Sequence, residues 1–269
     1  TASEPITFQG DRMEALYADL PGQWDRIWIW EGDADNVFEY CHIKNALVGI
    51  QCETDPSYPQ GLSSPDAQNQ VVLNNVSILN SSAAGLLSRN YRIQSTNLLV
   101  ANAGQYAMVL LGGGQYQFNH TTVANYWGYD IRQEPSFYVS NVVGTVVGNL
   151  TRDIRPSVFR NMIVHGNNTN EFQLEMSGGN VDLTFEYCLL RMESGNLPPV
   201  YFPNPSTIWR NQNPGFRGAG DGNFRLTENA FARNRAVSTS DPVSFLDLDG
   251  MDRFWDGLPD LGCYEWYPE

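Results

Sequence analysis

His42 and Lys44 flank Ile43 and point away from the side that Ile43 takes, because successive strand residues alternate between faces. With Glu39 or Arg12 beside them they hold the elements of a polysaccharide-lyase site: a base for an acidic C–H, and a cation to offset uronate charge. A plain solvated pair is the simpler expectation. The other two histidines, His120 and His165, stand at different phases, and no HxH or HExxH metal spacing occurs. Asp247-Leu-Asp-Gly-Met-Asp-Arg253 places three carboxylates, Asp247, Asp249 and Asp252, around a turn that Gly250 permits. Such a loop suits Ca²⁺, although the closing Glu of an EF-hand is missing. The alternative is a structural turn in which Arg253 pairs with Asp247 or Asp249. No cofactor is otherwise required.

Aromatic residues form the second group of candidates. Trp28 and Trp30 share one face of a strand, and Ile27 and Ile29 share the other. Trp127, Tyr129, Arg132 and Tyr138 fall in one insertion, with a composition common on recognition surfaces. Exposed aromatic rows stack on sugar rings or bury a protein partner. A covering domain or loop is the competing explanation. Replacing Trp127 and Tyr129 is expected to weaken binding and spare stability; replacing Trp255 or Tyr264 is expected to do the reverse.

A recurring six-residue phrase must position these groups. It reads Tyr40-Cys-His-Ile-Lys-Asn45, Asn75-Val-Ser-Ile-Leu-Asn80, Asn97-Leu-Leu-Val-Ala-Asn102 and His120-Thr-Thr-Val-Ala-Asn125. It returns more loosely at Asn161–Gly166 and Tyr187–Met192. Its second and fourth places alternate toward one side, from Cys41/Ile43 to Cys188/Leu190. Asn80, Asn102 and Asn125 are 22 and 23 residues apart, the length of a strand–turn–strand–turn circuit. The expectation is an all-β, right-handed parallel β-helix over residues 1–208, its hand set by the crossover preference of parallel strands. Insertions fall at 54–69, 126–156 (with a small extended excursion near 136–147) and 194–208. Sixth-place Asn45, Asn80, Asn102 and Asn125 are expected to form a side-chain ladder, since Asn tolerates left-handed backbone. Residues 209–269 lose the repeat and read as a loop-rich C-terminal cap over an open solenoid end.

Composition narrows the partners. The 269 residues carry a formal charge of -14, which argues against nucleic acid or an anionic membrane as a partner of the bulk surface. No apolar run approaches the roughly 18 residues of a transmembrane helix. Cys41, Cys52, Cys188 and Cys263 match no zinc spacing, and Cys41 and Cys188 read as separate core residues.

The tail phrases Asn213-Pro-Gly-Phe216, Asn223-Phe-Arg-Leu226, Asp247–Arg253 and Asp260-Leu-Gly-Cys-Tyr-Glu265 resemble those that close many bacterial β-helix proteins of the pectin-lyase-like type. Asn213 and Cys263 stand where that family usually has Asp and Ala. The front, with Phe8-Gln-Gly-Asp-Arg12, Pro21-Gly-Gln-Trp24 and Asn45-Ala-Leu-Val-Gly-Ile50, is similar to a subgroup of secreted or surface-lipoprotein members, except that Asp25 replaces the usual Gly. The resemblance implies an extracellular or cell-envelope location, an outer-membrane surface lipoprotein at full length, and further N-terminal domains before Thr1. The aromatic excess points to a partner that is a polysaccharide or an outer-membrane protein. Polygalacturonase-type Asn-Thr-Asp and Gly-His-Gly phrases do not occur. The expected function is therefore non-catalytic, binding surface glycan or serving in an outer-membrane protein complex. The alternative is a carbohydrate-active enzyme, a polysaccharide lyase or glycoside hydrolase.

Overall fold

The computed structural model describes residues 1–12, 14–32, 34–54, 68–145, 148–193, 195 and 197–268. The insertion expected at 54–69 lies almost wholly outside the described residues. Two parallel sheets dominate. The first joins, in spatial order, β1 Ile6–Phe8, β3 Asn36–Lys44, β5 Gln70–Ser81, β7 Arg92–Ala103, β9 Gln115–Asn125, β13 Ile154–Gly166, β15 Val181–Leu190 and β16 Ile208–Arg210. The second joins β2 Trp24–Trp30, β4 Ala46–Glu53, β6 Ala84–Arg89, β8 Tyr106–Leu111, β10 Phe137–Ser140 and β14 Phe172–Glu175. The chain alternates between the sheets, and each return lays a strand beside its predecessor.

The phrase sets this register. Cys41 pairs with Val76, Val76 with Leu98, Leu98 with Thr121, and Met162 with Cys188. Second- and fourth-place side chains all point inward and are buried. The first place has a separate role. Tyr40, Asn75, Asn97, His120, Asn161 and Tyr187 all adopt left-handed backbone, with φ between 49 and 58°. The ladder of backbone pairs skips these residues, so each long strand bends there. Left-handed backbone costs an L-residue about 1–2 kcal/mol, least for Asn, which explains Asn at three of the six positions.

Amide-to-amide bonds start from first-place Asn97 and Asn161; of their acceptors, Asn75 is a first-place residue and Asn119 directly precedes one. Asn97 Nδ2 donates to Asn75 Oδ1 at 2.9 Å, and Asn161 Nδ2 donates to Asn119 Oδ1 at 3.0 Å. The sixth-place residues make individual contacts. Asn45 Nδ2 donates to Ala18 O, Asn102 Oδ1 accepts Tyr126 N, and Asn125 bonds both backbone groups of Ala103. Asn45, Asn80 and Asn102 are left-handed.

An aromatic column stands among the buried residues from β9 onward. Phe118, Phe159, Phe185 and Phe202 stack face to face, with successive centroids 5.2, 4.9 and 5.3 Å apart. Parallel in-register strands hold equivalent residues at this spacing, so one aromatic column builds the next contact automatically. All four cysteines are buried and free.

The interval 126–156 is only partly an insertion. Its Phe137–Ser140 is the rung β10 of the second sheet, paired with β8 and β14. The excursion proper is the antiparallel hairpin of β11 Val142–Thr145 and β12 Gly148–Thr151.

The tail is not an end cap. It leaves the sheet after β16, forms the short antiparallel pair β17 Phe216–Gly218 and β18 Asn223–Leu226, and then runs along the flank of the first sheet. It covers the outward third and fifth places of the phrase: Leu99, Ala101 and Ala124 pack with Phe224, Leu248, Cys263 and Tyr264. Ile163 and Leu189 pack with Leu226, Ala232 and Leu261. First-place side chains secure it, Asn161 bonding Val237 and Asn97 bonding Val243 O and Leu246 O. The outward Leu and Ala pattern demands such a cover, because two to three apolar rows in water would be costly.

A buried charge cluster fastens this strap. Arg253, fully buried, donates to Asn97 Oδ1 and Cys263 O, and its nearest carboxylate is Glu265 at 3.6 Å. Asp247 and Asp260 are buried beside it. Burial pushes the Asp260 carboxyl up to about 6, and burial together with Asp260 raises Glu265. A carboxyl whose folded value is raised holds its proton more tightly folded than unfolded. Its contribution to stability is therefore greatest below about pH 4 and is lost as pH rises through about 6. Denaturation midpoints measured from pH 4 to 7 should fall less steeply in Asp260→Asn than in the parent chain. Parallel slopes would show that Asp260 ionises normally.

Candidate functional site

Trp127 and Tyr129 stand on the wall of a cleft of about 540 Å³. Its lining also includes Asp19, Leu79, Asn80, Asn102, Tyr126 and, from the strap, Asp221 and Phe224. Two ladder candidates and two aromatic candidates thus meet in one place, brought together by three chain segments. The loop that follows β9 starts in a fixed direction because Asn102 Oδ1 accepts Tyr126 N at 3.1 Å. The Trp127 ring then turns inward, only 8% exposed, with its Nε1 donating to Asp130 Oδ1 at 2.6 Å. Tyr129 leans on it at 4.8 Å between centroids but stays 60% exposed. Its hydroxyl donates to Asp19 O at 2.9 Å and so ties the loop to the N-terminal turn.

Polar groups brace the loop from behind. Arg132, expected at the surface, is buried and ion-paired with Glu171, which is itself fully buried. Arg132 also donates to Asn125 O, and Glu171 accepts Ser136 N, Ser136 Oγ and Asn168 N. Arg132 is a loop anchor, since only a charged pair with a full set of donors can stay in such a dry position. Nearby, Tyr126 Oη lies 2.7 Å from His165 Nδ1, whose other ring nitrogen faces Arg191 at 3.4 Å. Burial, with Arg191 beside it, lowers His165 to about 4, and burial raises Tyr126 to about 12. Both are neutral near pH 7. The neutral arrangement that satisfies Arg191 has His165 Nδ1–H donating to Tyr126 Oη while Nε2 accepts.

The remaining aromatic candidates lie elsewhere. Trp28, Trp30 and Tyr138 are on the outer face of the second sheet. Trp28 pairs across to Gln51, then Leu87, Val109, Tyr138 and Gln173, so Trp28 and Tyr138 lie in one row four strands apart. Trp28 and Trp30 are 47 and 50% exposed, with rings 5.1 Å apart, and Trp28 Nε1 donates to the buried Glu53 at 2.6 Å. Tyr138 packs on Tyr106, and their hydroxyls donate to Glu175 and Glu134. None of Trp28, Trp30 and Tyr138 lines the cleft.

The candidate base and cation do not converge on a free face. Lys44 Nζ donates to Ala18 O at 3.1 Å, alongside Asn45. Both side chains therefore fix the turn that carries Asp19 into the cleft. His42 Nδ1 lies 2.5 Å from Ser77 Oγ, and burial lowers its pKa. Arg12 lies over the Tyr17 ring and pairs with Glu14, while Glu39 is exposed. His120 is buried against Gly262 O as part of the strap seam.

The expected calcium loop is likewise occupied by protein donors. Asp247 accepts Asp249 N, Met251 N and Glu265 N. Asp249 forms a two-bond pair with Arg225, and Asp252 accepts Phe254 N. Among the described residues no group of three or more His, Cys, Asp or Glu side chains is placed to hold a metal ion. Arg253 pairs with Glu265 rather than with Asp247 or Asp249.

Asp19, Asp221 and Phe224 carry no local signature that marks them as cleft residues; distant segments meet only through the strap. No family model, curated protein or solved structure matches the chain.

Proposed function

We propose that this chain is a right-handed parallel β-helix serving as a non-catalytic saccharide-binding module of the cell envelope, with the cleft at Tyr129 as its binding site. The carrying observation is the union of an exposed aromatic ring with the Asn80 and Asn102 amides and two carboxylates in one open concavity on a stiff sheet scaffold. Sugars are bound by this combination, an apolar ring face under the C–H groups and polar side chains around the hydroxyls. Support for a binding role over lyase chemistry comes from Lys44, a candidate lyase group, whose ammonium donates to Ala18 O in a structural turn. The alternation of two parallel sheets and the repeated left-handed bends support the solenoid reading.

Affinity electrophoresis of the protein through gels containing different polysaccharides tests this. At least one glycan should retard it, and Tyr129→Ala should weaken that binding about tenfold, the scale of an exposed aromatic anchor. Its thermal midpoint should hardly move, since Tyr129 is 60% exposed. Retardation that is the same with and without the Tyr129 ring would remove the cleft from consideration. A second reading, a protein partner, draws on Trp28 and Trp30, which are half exposed on β2, the edge strand of its sheet.

A further inference from the structure

Resting on that saccharide reading, we propose that the cleft is selective for glycans whose sugars carry protonated amines, and discriminates against uronate-bearing ones. The charge inventory of the lining carries the inference. Asp19 and Asp221 are its only ionisable acids or bases apart from the tyrosines; no Lys, Arg or His lines it. Their charges are not neutralised from within. The Asp221 carboxylate has no hydrogen-bond or ion-pair partner among the described residues. The Asp19 side chain is 78% exposed, and its nearest cation, Lys44, stands at the 4.0 Å limit of an ion pair while donating to Ala18 O.

Two further features act in the same direction. The Tyr129 ring is open to solvent, and an ammonium over a tyrosine face gains a cation–π attraction. The whole chain is strongly acidic, with 30 Asp and Glu against 16 Lys and Arg. A polyanionic chain approaching the cleft meets repulsion at long range and, at short range, the unpaired Asp221 and an Asp19 paired only at 4.0 Å with Lys44. A polyamine chain meets the opposite in both. A neutral sugar would gain the ring and the amides of Asn80 and Asn102 but nothing from the acids.

Isothermal titration with three hexasaccharides distinguishes these cases: glucosamine, N-acetylglucosamine and galacturonate oligomers. The glucosamine oligomer should bind most tightly, and its advantage over the N-acetylated one should shrink as salt is raised. Asp19→Asn and Asp221→Asn should each reduce that ratio of affinities about two- to fivefold, the range of exposed ion pairs. Tyr129→Ala should weaken both oligomers. Equal or tighter binding of the N-acetylated or galacturonate oligomer would overturn the amine selectivity while leaving the saccharide site standing. Failure of the parent protein to bind any of the three, or any polysaccharide in the gel series, would overturn the saccharide reading itself.

Discussion

Arg132→Met should lower the stability of the chain by about 3–5 kcal/mol, the usual result of removing one partner from a buried ion pair. The substitution keeps much of the side-chain volume and deletes the charge. Glu171 would then be left as a fully buried carboxylate facing only neutral donors from Ser136 and Asn168. Urea denaturation checks the loss, and the double variant Arg132→Met, Glu171→Gln should recover part of it by removing the stranded charge. A loss below about 1 kcal/mol would place Arg132 in water, where exposed pairs have that worth. The loop carrying Trp127 and Tyr129 starts from Asn125, whose carbonyl also accepts Arg132. The single variant should therefore also weaken any ligand of the cleft, although Arg132 does not line it.

Phe159→Ala should cost a similar amount, about 3–5 kcal/mol, through lost burial and the cavity left behind. Phe159 is fully buried inside the aromatic column. It stacks between Phe118 and Phe185 and meets Tyr116 and Phe137 at its edges. Phe159→Leu should recover about half of the loss, because it refills volume without the stacking. An alanine variant within 1 kcal/mol of the parent would mean that the column collapses around the gap. Trp255→Ala now carries a smaller expectation than the sequence alone implied, since that ring is 38% exposed and lies over Trp266 and Tyr267 at the surface. Trp127→Ala carries a larger one, because its ring is buried under the loop it was expected to display.

The repeated phrase determined the rungs of the first sheet, and the reason is local. Alternation at period two decides which side chains face inward, and in-register stacking then aligns Cys41, Val76, Leu98 and Thr121 without further information. The positions of left-handed bends were half legible. Asn at the sixth place suggests the ladder, yet Tyr40, His120 and Tyr187 share the first-place bend with Asn75, Asn97 and Asn161. Residue type alone could not reveal a bend imposed by the column on a tyrosine or a histidine.

The tertiary structure decided the rest. Outward Leu99, Ala101, Ile163 and Leu189 need a cover, but the sequence does not say that residues 211–268 supply it along the flank instead of over an end. The same strap sets Arg225 and backbone N–H groups against the carboxylates of the acidic tail loop. It also brings Asp221 and Phe224 to the cleft opposite Tyr129. Exposure followed the same rule. Trp28, Trp127 and Arg132 were equal candidates by composition, and only long-range neighbours sort them: Glu53 holds Trp28 half in water, while Glu171 draws Arg132 inside. A strand's inward face is fixed by spacing of two residues; what covers its outward face depends on chain tens to more than a hundred residues away, and short-range pattern carries no record of it.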